Sequence, residues 1–242
     1  MLILGKDYET TGLDPERHSI TEVGMVLWDT ELHAPLKVMG ILVDPGPDAV
    51  WDPVTEKITG LTRDLCAKHG YKDDRALRQV LSWDEQAEVY CAHNGTRFDH
   101  PFEDAWTRRH GYVPDKKLWI DTNCDLELGE LDFKKSRKLT YMAADHQFLN
   151  PFPHRAVFDV MTMLKVLDKY DLERVLFLAK QPVVDVQALV SYDDRELAKA
   201  RGYRWYPEQK LWVMTMKECF VEKEREEAGF QIKVLPEPVP RQ

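Results

Sequence analysis

The chain lacks the cysteine spacing of a metal clip or a disulfide framework: Cys66, Cys91, Cys124 and Cys219 lie far apart and form no CxxC pair. That spacing argues against a zinc site and a disulfide-stapled fold, and a reduced compartment is expected. No apolar run approaches the ~18 residues of a membrane span. No charged-then-apolar leader is seen either, so neither membrane insertion nor secretion is expected, and the location implied is the cytoplasm. Surplus positive charge is missing as well. With 33 Lys and Arg against 42 Asp and Glu the net charge is −9, which argues against non-specific attraction to nucleic acid or to an anionic membrane. An acidic pocket that holds divalent metal would itself push this total negative. Internal repeats and low-complexity stretches are absent apart from the Pro-rich tail PEPVPRQ, residues 236–242.

What is present is a composition able to build a core, with 43% hydrophobic and 31% charged residues in 242. Residues 2–4, 20–28 and 36–43 are β-rich runs separated by turn residues, which predicts an antiparallel three-stranded start. Short helices are expected after Pro53 and over 73–81, a buried strand at VYCAHN (89–94), and a helix from Asp99 to Arg109. WIDT (119–122) reads as a strand, 139–146 as a helix, and 155–169 as an amphipathic helix. The fold class implied is α/β, a mixed sheet flanked by helices. Residues 1–180 are expected to form this domain and 182–235 a small α+β accessory domain, with the tail beyond. In the accessory stretch, strand, helix, hairpin, helix and strand follow in order, the hairpin turning at Pro207 and Glu208.

Four acids sit at the ends of elements that otherwise want burial. In DYETTGLD, Asp7 and Glu9 are two apart on a strand, so they share a face about 7 Å apart along the chain. Asp99 opens a helix directly after a buried strand, and Asp159 lies in an apolar-rich helix five residues after His154. Converging carboxylates repel unless cations neutralise them, and hard oxygen ligands suit Mg²⁺ or Mn²⁺. Two such ions can clamp a phosphodiester between attacking and leaving oxygens. His154, with an ordinary pKa near neutrality, suits a general base.

These residues stand in three motifs, DYETTGL, HNGTRFD and HRAVFD. In order and spacing they resemble those of the DEDDh (DnaQ-like, RNase H-like) 3′→5′ exonucleases, a family that includes the polymerase III epsilon proofreading subunit and exonuclease X. The resemblance covers residues 1–180, with ITGLT at 58–62 also matching. It implies an RNase H-like fold and a two-metal site of Asp7, Glu9, Asp99 and Asp159, with His154 as base. It further implies Mg²⁺ as cofactor, replaceable by Mn²⁺, and release of nucleoside 5′-monophosphates from a 3′ end. Thr10 and Thr11 would then sit near the 3′-OH, Leu13 would wedge against the last base, and His93 and Asn94 would support the site. Lys6 departs from the small or apolar residue of many relatives and is expected to face solvent.

The expected substrate is nucleic acid with a free 3′ end, DNA preferred, because DDRELAKARGYRWYPEQKLWVM resembles short modules on DNA-processing proteins. An RNase of the oligoribonuclease or RNase T kind is the alternative. So is a proofreading subunit acting mainly with a replication or repair partner, which the Pro-rich tail could contact. KKSRK (134–138) could guide a phosphate backbone or be a solvated loop. The aromatics of YRWYPEQKLW could stack bases or fill a small core, and both readings stay open.

Overall fold

The structure is a computed structural model that describes residues 1–128 and 137–239. The described residues divide into two compact units, one holding residues 1–126 and 137–179, the other built on 180–239. KKSRK falls largely outside the described residues, as does the end of the Pro-rich tail.

The first unit is built on a six-stranded sheet in the order β4-β3-β2-β1-β5-β6. The antiparallel start is as expected: β1 (Leu2–Thr10), β2 (Ile20–Asp29) and β3 (Ala34–Asp44) pair in sequence. On the other side of β1, β5 (Val89–Ala92) and β6 (Trp119–Asp121) add in parallel. The edge strand β4 (Tyr71–Lys72) is only two residues long.

Because β1 is central and alternates, its two faces meet different helices. Leu4 and Tyr8 join a core with Ala76, Leu77 and Val80 of α3 (Asp73–Asp84) and with Phe102 and Trp106 of α4 (Asp99–Arg109). The short helices α1 (Pro53–Thr59) and α2 (Arg63–His69) precede them, each started by a side-chain cap, from Asp52 and Thr62 respectively. On the opposite face lies α6 (Ala156–Leu167), which follows α5 (Leu139–Asp145) and precedes α7 (Leu172–Ala179), a helix the sequence did not announce. Glycines let α6 come close. A Cβ on Gly5 would stand 2.6 Å from Val160 Cγ1, and one on Gly24 would stand 2.2 Å from the Ala156 carbonyl carbon. Gly24 pairs with Asp7 across the sheet, so this approach brings the first turn of α6 beside Asp7.

The second unit is a four-stranded sheet in the order β10-β7-β9-β8. It runs β7 (Val183–Leu189), α8 (Arg195–Ala200), β8 (Arg204–Tyr206), β9 (Leu211–Lys217), a 3-10 turn, α9 (Val221–Glu227) and β10 (Gln231–Val234). Val186, Ala188, Ala198, Tyr203, Val221 and Ile232 form its own small core. The beginning of the tail lies along this unit, where the Val239 N–H donates to Asp185 Oδ2 at 2.8 Å.

Candidate active site

Alternation along β1 sends Asp7 and Glu9 toward α6. There they meet Asp159, in the first turn of that helix, and one carboxylate oxygen from each of the three lies within 4.8 Å of the others. Asp99 arrives from the opposite face at the first turn of α4, where its Oδ1 accepts the Tyr8 N–H at 3.0 Å. Asp99 is buried, whereas Asp7, Glu9 and Asp159 are half-buried and open to solvent on one side.

The electrostatics are those of a site short of positive charge. Burial, then the Asp99 and Glu9 charges, hold Asp7 well above the ordinary carboxylate range. Burial, then Asp159, Glu22 and Asp99, push Glu9 up to about 8, against the opposing pull of Arg155. Asp99 is raised to about 8, chiefly by burial, although the Tyr8 N–H favours its charged form. Asp159 rises to about 6 for the same reason, restrained by the His154 N–H and Asn150. Four carboxyl groups that resist ionising together would ionise readily around a divalent cation, and an all-oxygen donor set fits Mg²⁺ or Mn²⁺. The residues therefore fit the metal that the motifs imply.

His154 lies in the exposed loop before α6 with a left-handed backbone, φ 62°. Its N–H donates to Asp159 Oδ2 at 2.9 Å, so the loop that carries the imidazole is tied to the acid cluster. Thr10 and Thr11 are buried. The Thr10 hydroxyl donates to the Gly12 carbonyl at 2.6 Å, and Thr11 Oγ1 accepts the Ser19 N–H at 3.0 Å, so both side chains shape the turn after β1. Leu13, at the tip of that turn, is 74% exposed. His93 and Asn94 stand at the end of β5, away from the three-acid cluster: His93 Nδ1 lies 2.9 Å from Thr122 Oγ1, and the Asn94 N–H donates to Asp121 Oδ1 at 2.8 Å. Burial lowers the His93 pKa.

Three groups went unnoticed in the sequence. Glu22, directly across the sheet from Glu9, is a fifth carboxylate, buried, and Arg155 holds it at 2.7 Å. Asn150 donates to Asp159 Oδ1 at 2.6 Å. Asp121, at the end of β6, accepts from the N–H groups of Asn94, Thr96 and Asn123 and from the Thr96 hydroxyl, fixing the loop that leads into Asp99. Charge at a strand end was the available signal for Asp121. Glu22 lay inside an unbroken β run and gave none.

Lys6 is a correction. It does not face solvent but is fully buried, with Nζ 2.7 Å from Asp84 and 2.8 Å from Glu103, and 3.7 Å from the centre of the Tyr90 ring. The Tyr8 hydroxyl donates to Glu103 as well. Lys6 and Tyr8 point to the α4 side of β1, and alternation gave them no route to solvent because that face is covered.

The family model described as Exonuclease (RNase_T) matches residues 4–167. The chain belongs to the DEDDh 3′→5′ exonuclease family. Escherichia coli exonuclease I in complex with a dA16 oligonucleotide is similar at 16% identity and a TM-score of 0.65, covering 97% of this chain and 62% of that one. The zinc-bound form of the same enzyme with single-stranded DNA is similar at 17% identity and a TM-score of 0.66, with the same coverage. The nuclease domain of 3′hExo, a DEDDh family member bound to rAMP, is similar at 19% identity and a TM-score of 0.56, covering 69% of this chain and 90% of that domain. At these identities the likeness shows a common fold. The chain thus spans 62% of the length of exonuclease I. Residues 184–235 match a domain of unknown function, DUF8626. No curated protein matches the chain by sequence. No helix among the described residues is long and apolar enough to cross a membrane.

Proposed function

We propose that this exonuclease removes nucleotides from the 3′ end of single-stranded DNA, hydrolysing each phosphodiester to release a nucleoside 5′-monophosphate. The observation that carries the reading is the convergence of Asp7, Glu9 and Asp159 within 4.8 Å, with Asp99 on the adjoining backbone amide. These four acids would hold two Mg²⁺ ions, which when bound would polarise the phosphate and offset charge on the attacking and leaving oxygens. His154 takes the proton of the attacking water, and Asp159 anchors the peptide that carries it. Arg155 offsets the charge of Glu22 beside the site. The turn from Thr10 to Leu13 presents an exposed apolar tip on which a terminal base can rest.

DNA is preferred because the exonuclease I neighbours are complexes with DNA oligonucleotides. The rAMP-bound neighbour supports RNA as the second reading. A 5′-labelled DNA oligomer and an RNA of equal sequence, incubated with Mg²⁺, with EDTA and with Asp7→Ala, separate the two. The expected result is a ladder shortening from the 3′ end of DNA, abolished by EDTA and lowered on the order of 10³-fold by the substitution. Shortening of RNA alone would remove the DNA assignment, and shortening of neither would remove the catalytic one.

A further inference from the structure

The second unit carries a groove that the exonuclease chemistry does not use. It lies between the end of β7, the loop into α8 and the β8–β9 hairpin, and has a volume of about 730 Å³, within the range of about 300–1,000 Å³ common for ligand sites. The aromatics of the hairpin divide between two tasks. Tyr203 is buried against Phe230 in the small core. Trp205, by contrast, is 48% exposed, stands directly across the hairpin from Trp212, and tilts against it with ring centres 5.7 Å apart. Tyr192, on the other wall, is 78% exposed, and the Arg195 guanidinium lies 3.9 Å over its ring. A core-filling role accounts for Tyr203 and for part of Trp212 but leaves Trp205 and Tyr192 facing water.

The charge of the lining is one-sided. Among the ten residues that line the groove are two cations, Arg195 and Lys210, and no carboxylate. Residues 180–242 hold eleven Lys and Arg against eleven Asp and Glu, so the negative balance of the chain lies outside this unit. Arg195 also lies 3.8 Å from Glu196, which is not among the lining residues, and flat apolar faces beside cations match a ligand made of flat bases joined by phosphates. A proline-rich peptide would use the aromatic faces but brings no phosphate to Arg195 and Lys210.

We infer that this groove binds unpaired nucleic acid, with bases stacked on Trp205 and Tyr192 and backbone phosphates held by Arg195 and Lys210. The site deepens the proposed function and rests on it for the choice of ligand, yet it is testable apart from catalysis. Stacking on exposed rings takes any base, so the groove is expected to be tolerant of sequence and to exclude duplex, whose bases are already stacked.

The test uses the full chain in EDTA, where no turnover occurs, and a fluorescein-labelled oligothymidylate of about a dozen nucleotides. Trp205→Ala combined with Tyr192→Ala is expected to raise Kd at least about tenfold. Lys210→Gln, an exposed change that asks nothing of the fold, is expected to lower the slope of log Kd against log salt by about 0.7. Unchanged affinity in both variants, equal binding of duplex, or tighter binding of a polyproline peptide than of the oligonucleotide would each overturn the inference. In Mg²⁺, cleavage of a dinucleotide by the wild type and the double variant at equal rates keeps the two readings separate. A wild type that binds through the groove and cleaves no oligomer removes the catalytic reading alone.

Discussion

The two faces of β1 carry two clusters of acids, and they differ in the cation that each meets. On the α4 face, Asp84 and Glu103 converge on Lys6, whose ammonium lies within 2.8 Å of both. On the α6 face, Asp7, Glu9 and Asp159 form no ion pair with a cation among the described residues, and Arg155 pairs with Glu22 while only partly offsetting the charge on Glu9. One cluster has a resident counter-charge, although burial still raises the Asp84 pKa, and the other is left short of positive charge in a place that solvent can reach. A resident lysine on the α6 face would have stabilised the fold and filled the position that the proposed metal would take.

Removing the resident cation is the most severe way to break this comparison. Lys6→Met leaves Asp84 and Glu103 buried without a counter-charge, and loss of one partner from a buried ion pair costs about 3–5 kcal/mol. A fall in Tm on the order of 10 °C is expected by thermal unfolding. Lys6→Met combined with Asp84→Asn and Glu103→Gln is expected to recover most of it. A single variant that melts with the wild type would show that the lysine does not neutralise this face.

The acid cluster on the α6 face was legible because its residues must be near one another in sequence patterns that a strand or helix turns into proximity. Asp7 and Glu9 are two apart on a strand, and His154 and Asp159 bracket the start of a helix. The α4 face was not legible. Lys6, Asp84 and Glu103 are separated by 78 and 19 positions in the chain, and a lysine in a strand reads as solvent-facing until the helices above it are placed. The same limit hid Glu22, whose partner Arg155 lies 133 residues away. The antiparallel start of the sheet and most helices followed from period and turn residues. Helix α7 did not, because its eight residues, Leu172–Ala179, follow α6 after a short break with no change in composition.

A milder break acts on the approach of α6 rather than on charge. Gly24 faces the helix where a Cβ would overlap the Ala156 backbone at 2.2 Å, and backbone cannot swing aside as a side chain can. Gly24→Ala is expected to cost about 1–3 kcal/mol and to move Asp159 away from Asp7 and Glu9, which pair with the same stretch of sheet. Activity in the presence of Mg²⁺ should fall more than stability, and weakened metal binding by titration calorimetry should accompany it. Normal metal affinity in this variant would mean that the close approach is a packing detail without bearing on the site.

The smallest effect comes from protons. On the α6 face, Glu9 and Asp99 titrate near 8 in the metal-free fold, above their ordinary values of 4.5 and 3.8. The folded state therefore holds protons that the unfolded chain has released, so stability is fully present below about pH 4 and is lost as pH rises toward 8. Metal supplies the missing positive charge, so the stabilisation it gives should grow over the same interval. Melting in EDTA and in Mg²⁺ between pH 5 and 8 is expected to give curves that diverge as pH rises. Asp7→Asn removes one of the repelling charges and should flatten the EDTA curve while abolishing cleavage. Parallel curves, or an Asp7→Asn protein with the wild-type slope, would mean that the acids on this face do not repel one another enough to matter, and the contrast with Lys6 would lose its physical basis.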